Sequence, residues 1–203
     1  MGFTIWFTGL SGSGKTTLSQ AVYLEIRRRG LKSELLDGDI IRSIFSQELG
    51  FTKRDRDINI RRIGFVSHLL NKNEVCSVVA AISPYSDTRL QVRNLIGGFV
   101  EVYCDSSLDT VIQRDVKGLY KKALAGQIQH FTGVSDPYET PVTPEIHLHT
   151  DKETVEESYC RIIAWLEEHA YLPTLDACTP HPFTADDEAK WRERLAQLGF
   201  AAR

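Results

Sequence analysis

The stretch GLSGSGKT, Gly9–Thr16, spaces its glycines, lysine and threonine as G-x-x-x-x-G-K-[ST]. Glycine lets successive backbone N–H groups curl around a phosphate, and a helix starting at Lys15 adds positive potential. In such a loop Gly9, Leu10, Ser11, Gly12, Ser13 and Gly14 supply the cradle. Lys15 reaches the β- and γ-phosphates, and the Thr16 hydroxyl sits on Mg²⁺. Further on, LLDGDIIR (35–42) places Asp37 and Asp39 around one glycine. Phosphoryl transfer in line needs a held metal and a carboxylate that orients or deprotonates the attacking hydroxyl. One of these acids can do each job, and the types alone do not say which. The plain alternative is an acidic turn in which Asp39 caps a helix. Many phosphate-binding loops are served by an acid after a central strand, but here that strand runs into AAISPY (80–85), which has none.

A second basic site follows. GFTKRDRDINIRR (50–62) carries Lys53, Arg54, Arg56, Arg61 and Arg62 near Phe51 and Asn59. Lys53 and Arg54 read as a solvated helix start. Arg42, Arg56 and Phe51 together suit an anion with an aromatic head, guanidinium to phosphate and ring to base.

Alternating elements must carry these groups. Apolar runs predict strands at Phe3–Thr8, Ser33–Leu36, 76–83, 99–104 and 145–150. Helices are predicted over Lys15–Arg29, about Arg54–Asn71, Asp87–Ile96 and from Leu108, with Thr150-x-x-Glu153 as a capping box opening a last helix to about His169. The βαβα order predicts an α/β domain in three layers around a parallel sheet, which puts Asp37 and Asp39 at the carboxyl edge beside the phosphate loop. KGLYKKALAGQIQHFTG (117–133), broken by Gly118, Gly126 and Gly133, reads as a mobile insertion. Residues 1–172 form the predicted domain. After Pro173 the chain becomes a proline-rich extension whose Thr184–Leu198 segment could pack on it as a short helix.

With 203 residues, 42% hydrophobic and 25% charged, the chain is long enough for one sizeable core. A formal net charge of −3 gives no general attraction to nucleic acid or to an anionic membrane, so any basic function is local. No apolar run reaches membrane-span length, and the N-terminus lacks the basic flank and cleavage site of a signal peptide. Cys76, Cys104, Cys160 and Cys178 are scattered, which suits thiols in a reducing cytoplasm rather than disulfides or zinc. NKNE (71–74) approaches the base-reading motif of GTPases but ends in Glu and precedes its strand, so it reads as a polar helix end.

These stretches, with ISPYSDTR, RDVKGLYKKALAGQIQHFTG and DPYETPVTPE, resemble the adenylyl-sulfate (APS) kinase family over about residues 3–165. The resemblance implies a P-loop nucleoside triphosphate hydrolase-like fold with a lid. It implies transfer of the ATP γ-phosphate to the ribose 3′-hydroxyl of adenosine 5′-phosphosulfate, with Mg²⁺, in a cytoplasmic homodimer. Gly9–Thr17 would bind the ATP phosphates, including Thr17, and Arg114 and Lys117 would border ATP. Asp37 and Asp39 would place the metal and the attacking hydroxyl, with Thr16 and Asp37 as metal ligands and Lys15 on the transferred phosphate. Arg42, Arg56 and Asn59 would hold the phosphosulfate end, and Phe51 and Phe131 would sandwich the adenine. Ile82 and Ser83 would contact APS, and Ser83 matches the family's phosphorylated active-site serine. Lys121 and Lys122 would ride on the lid. Ser135 stands where the family leads one to expect an acid. A relative acting on another nucleotide, such as cytidine diphosphoramidate, would share the stacking rings. A non-catalytic nucleotide-state protein would need neither paired acids nor a second anion site.

Overall fold

The computed structural model describes residues 2–174 and Ala189. The expected helix over Thr184–Leu198 and its packing lie outside the described residues, apart from Ala189, which is helical.

Five strands form one parallel sheet in the order β2-β3-β1-β4-β5. They are β1 (Thr4–Thr8), β2 (Ser33–Asp37), β3 (Cys76–Ala80), β4 (Phe99–Asp105) and β5 (Ile146–His149). The helices are α1 (Lys15–Arg28), α2 (Gly38–Phe45), α3 (Lys53–Lys72), α4 (Ser86–Ile96), α5 (Leu108–Arg114), α6 (Leu119–Leu124) and α7 (Val155–Glu168). Every residue of β1 and β3 is buried, as expected of parallel strands covered on both faces. Their alternation divides the core. Ile5, Phe7 and Val78 pack with Leu18, Val22 and Ile26 of α1 and Ile162 and Leu166 of α7. Trp6 and Val79 pack with Ile60 and Ile63 of α3 and Val92 of α4. This is the three-layer arrangement anticipated above.

Polar networks join the layers. Glu25 in α1 is almost fully buried and accepts from Arg28 and Arg29, while Arg29 also pairs with Glu167 of α7 at 2.5 Å. Burial would raise the Glu25 carboxyl, but the two guanidiniums overcome it and hold its pKa at about 2. On the opposite face Glu101 of β4 meets Arg89 at 2.9 Å and Arg93 at 3.1 Å.

Besides α6, which gives the insertion a helix of its own, three elements differ from the sequence reading. The strand from Cys76 ends at Ala80 rather than 83, because Ser83 adopts φ 41° ahead of Pro84 and turns the chain off the sheet. The last helix begins one turn later than predicted. Its capping box is Thr154 with Glu157, while Thr150 is committed to the Asp105 carbonyl through both its N–H and its hydroxyl. The third is α2, a helix whose cap is Asp37 and not Asp39. The NKNE segment does end a helix, with Asn73 as the C-cap of α3.

Candidate active site

The carboxyl edge beside β1 is where the connections diverge, to β2 and β3 on one side and to β4 on the other, the usual place for a ligand crevice. The phosphate loop leaves β1 there. A side chain at Gly9 is impossible: its Cβ would lie 2.4 Å from the Cys104 carbonyl, and its φ is 146°. Gly14, at φ 87°, is the N-cap of α1. Lys15 is buried and donates to the Leu10 carbonyl at 2.6 Å. Burial lowers its pKa to about 8, a shift that the neighbouring Asp39 and Asp37 only partly resist. Thr16 and Thr17 are exposed in the first turn of α1.

Asp37 is half-buried at the end of β2. Its Oδ1 accepts from the N–H groups of Asp39 and Ile40 at 2.9 and 3.3 Å, and its Oδ2 accepts from the Thr16 hydroxyl at 3.3 Å. Burial, and then the charge of Asp39, raise its pKa above the ordinary value; the capping N–H groups oppose the rise. Asp39 is exposed and pairs with Lys117. Burial alone would lower the Lys117 pKa, but the hydrogen bond and charge of Asp39 raise it. Thr16 Oγ1 and Asp37 Oδ2 are hard oxygen donors side by side at the phosphate loop, which suits Mg²⁺ with its remaining positions left to water and phosphate.

The insertion folds down over the loop. Lys117 reaches Asp39, and Arg114 donates to the carbonyls of Gly12 at 3.5 Å and Thr150 at 2.8 Å. Tyr120 of α6 was not singled out by sequence, yet it is buried and its hydroxyl donates to the Ser11 carbonyl at 2.9 Å. The Asp115 carboxylate starts α6 by accepting from the N–H groups of Tyr120 and Lys121, both at 3.0 Å. Gly118, Gly126 and Gly133 have φ of 64°, 73° and 91°, left-handed conformations that glycine adopts without strain. Lys121 and Lys122 are exposed on α6.

Arg42 and Arg56, the cations expected to form a second anion site, both flank Phe51. The ring is half-exposed, with the Arg42 guanidinium 4.4 Å and the Arg56 guanidinium 5.6 Å from its centre. Arg42 donates to the carbonyls of Leu49 and Gly50. Arg56 is buried and donates to the Phe51 carbonyl at 3.0 Å and the His130 carbonyl at 2.5 Å, so it ties α3 to the end of the insertion. Burial lowers its pKa, and the like charge of Arg42 adds to that. One turn along α3, Asn59 is buried, and its Oδ1 lacks a hydrogen-bond partner.

Two expected contacts are arranged differently. Phe131 is buried, edge-on to Tyr120 with ring centres 5.0 Å apart, inside a small cluster with Val111 and Ala123. It is joined to the Phe51 side through the neighbouring His130 carbonyl. Ser83 is 2% exposed, and its hydroxyl is engaged inward: it accepts from Trp6 Nε1 at 3.0 Å and donates to Thr8 Oγ1 at 3.0 Å. The Ile82 carbonyl accepts from the Thr8 hydroxyl at 2.8 Å. Ser135 needs no acid to hold its turn, since its hydroxyl accepts from Phe131 N–H at 2.8 Å while Asp136 faces His130. Arg89 escaped sequence reasoning. It is buried and donates to the carbonyls of Ser83 and Glu139, pinning the wall of the cleft, and its only sequence signal was its place in ISPYSDTR.

A glycine-rich phosphate loop on β1, paired acids on β2 and an insertion closing over both define a P-loop kinase. The adenylylsulphate kinase family profile matches residues 1–149, and the chain belongs to that family. The adenylyl-sulfate kinase of Rippkaea orientalis is 56% identical over 171 residues, covering 84% of this chain and 94% of its own. That of Halothermothrix orenii is 52% identical, covering 84% and 92%. Among solved structures, the APS kinase of Mycobacterium tuberculosis in complex with AMPPNP and APS superposes with a TM-score of 0.78 at 40% identity, covering 82% of this chain and 98% of that one. No helix among the described residues is long and apolar enough to cross a membrane.

Proposed function

We propose that this chain is an adenylyl-sulfate kinase that moves the γ-phosphoryl group of ATP to the ribose 3′-hydroxyl of adenosine 5′-phosphosulfate, giving ADP and 3′-phosphoadenylyl sulfate. The observation that carries the reading is the pairing of two anion sites with acids between them: Lys15 on one side, Arg42 and Arg56 around Phe51 on the other. Family membership and a relative solved with AMPPNP and APS support it.

The loop Gly9–Thr17 holds the triphosphate, with Lys15 on the transferred group and Arg114 and Lys117 along the nucleotide. Thr16 and Asp37 would hold Mg²⁺, which when bound neutralises charge on the phosphate oxygens. The Asp37 carboxylate orients the 3′-hydroxyl and takes its proton. Asp39 fixes Lys117 and so the near end of the lid. Arg42, Arg56 and Asn59 hold the phosphosulfate, and Phe51 stacks on the adenine. Phe131 completes that pocket by moving out of its packing against Tyr120 when APS enters. Ser83 acts by shaping the wall with Ile82. Closure by Tyr120 and Lys117 keeps water from the γ-phosphate before transfer. Residues 1–172 are the kinase unit and 173–203 an extension; a cytoplasmic homodimer and a place in sulfate activation complete the reading.

A coupled ADP-release assay offering APS, cytidine diphosphoramidate and ordinary nucleosides separately tests it. APS should be the preferred acceptor by a wide margin. Turnover with another acceptor and none with APS would overturn the assignment.

Lys15 gives a pH signature. With its pKa near 8 in the free protein, and raised by bound phosphates, binding takes up a proton once the pH exceeds that value. Affinity for an ATP analogue should be constant below about pH 7, begin to fall through pH 8 and approach tenfold per unit by about pH 9 to 10. Lys15→Met should bind weakly with a flat profile there. A flat wild-type profile in calorimetric titrations would contradict the depressed lysine.

A further inference from the structure

Three side chains at the far end of the same sheet edge have no part in the reaction above. Asp105 closes β4, and His147 and His149 lie on β5, where Tyr103 is in register with His147 and Asp105 with His149. The two histidines are two residues apart on a strand, so both rings stand on one face, the exposed one. They converge on a single carboxylate oxygen: Asp105 Oδ2 is 2.9 Å from His147 Nε2 and 3.5 Å from His149 Nδ1. One ligand atom from each of the three residues lies within 4.8 Å of the others. The rings' centres are 4.5 Å apart.

We propose that Asp105, His147 and His149 bind a divalent transition-metal ion of the zinc, cobalt or nickel class. Two imidazoles with one carboxylate are borderline donors, suited to these ions rather than to Mg²⁺. Three protein ligands leave room for water to complete the coordination. The supporting contacts are those of a held site. The Tyr103 hydroxyl donates to Asp105 Oδ1 at 3.0 Å, which leaves Oδ2 toward the rings, and the Tyr103 ring stacks on His147 with centres 5.0 Å apart. All three ligands sit on hydrogen-bonded strands, so little ordering is needed on binding. A lone surface ion pair would need one histidine; here two rings share one oxygen.

The ion would clamp β5, a four-residue edge strand, to β4. The clamp adjoins the nucleotide side. Thr150 donates to the Asp105 carbonyl through N–H and hydroxyl at 2.8 and 2.9 Å, and its own carbonyl receives Arg114.

The test uses full-length protein without a histidine tag, freed of metal by chelator. Co²⁺ titration should give visible d–d absorption saturating at one ion per chain, displaced by Zn²⁺, and Zn²⁺ should raise Tm with its concentration while Mg²⁺ at the same level does not. His147→Ala and His149→Ala should each weaken Co²⁺ binding by about tenfold or more. His68→Ala, on α3, should leave it unchanged. Variants are compared with their own metal-free Tm, and His149→Asn, which keeps a polar group on the strand, serves if alanine unfolds the edge. Unaltered binding in the His147→Ala/His149→Ala double variant, or no saturable Co²⁺ spectrum in the wild type, would overturn the proposal.

Discussion

Asp37→Asn should lower kcat by about 10²-fold or more while ATP binding and Tm stay close to wild type. Asparagine ranks with aspartate as a helix cap, so its side-chain oxygen can still accept from the N–H groups of Asp39 and Ile40 and hold α2. What it lacks is the ionised carboxylate facing Thr16 and the reacting hydroxyl. Asp37→Ala removes the cap as well and should cost about 1 kcal/mol of stability in addition. The pair of variants therefore separates chemistry from folding. Near-normal turnover in Asp37→Asn would reject a catalytic role. If the loss appears only as a higher Mg²⁺ requirement, recovered at high Mg²⁺, Asp37 serves the metal and not the proton. Asp39→Asn should act differently, through the Lys117 contact, by weakening closure and raising KM for ATP.

The second large effect is expected at Arg56. Arg56→Lys keeps a positive charge but loses the planar fork that spans the carbonyls of Phe51 and His130 and presents N–H groups to an anion. KM for APS should rise by about tenfold or more, since a lysine cannot reproduce the bidentate contact, with KM for ATP within about twofold. Arg56→Ala should cost more, because it also frees the end of the insertion from α3. Steady-state kinetics with each substrate varied in turn reads both. Equal losses for the two substrates would place Arg56 outside the acceptor site.

Much of this site was legible because its parts are local. The phosphate loop encodes its geometry in eight consecutive residues, and Asp37 and Asp39 are set by the strand that ends between the sheet and α2. The Arg42, Phe51 and Arg56 group was readable from a cation-aromatic spacing near one helix start. What was missed depends on distant contacts. Tyr120 and Ser11 are 109 positions apart, and Arg89 and Glu139 are 50 apart, so no window of sequence couples them. The misplaced capping box has a local cause. TDKETVEE holds two overlapping frames, Thr150 with Glu153 and Thr154 with Glu157, and only tertiary structure decides, by giving Thr150 to the Asp105 carbonyl. Helix α2 is absent from the sequence reading because eight residues opening on glycine carry a weak helical signal, and the alternative of a capping turn placed the cap at Asp39 where the structure has Asp37. Ser83 was placed against substrate by resemblance alone, and the left-handed turn that carries its hydroxyl into the sheet end has no local sequence signal.

The central claim is the identity of the bond made. ³¹P NMR of a reaction containing the protein, Mg²⁺, ATP and APS tests it most directly. The account predicts ADP and a new ribose 3′-phosphomonoester on an otherwise intact phosphosulfate, formed in equal amounts. ADP accompanied by inorganic phosphate, with APS unchanged, would contradict it.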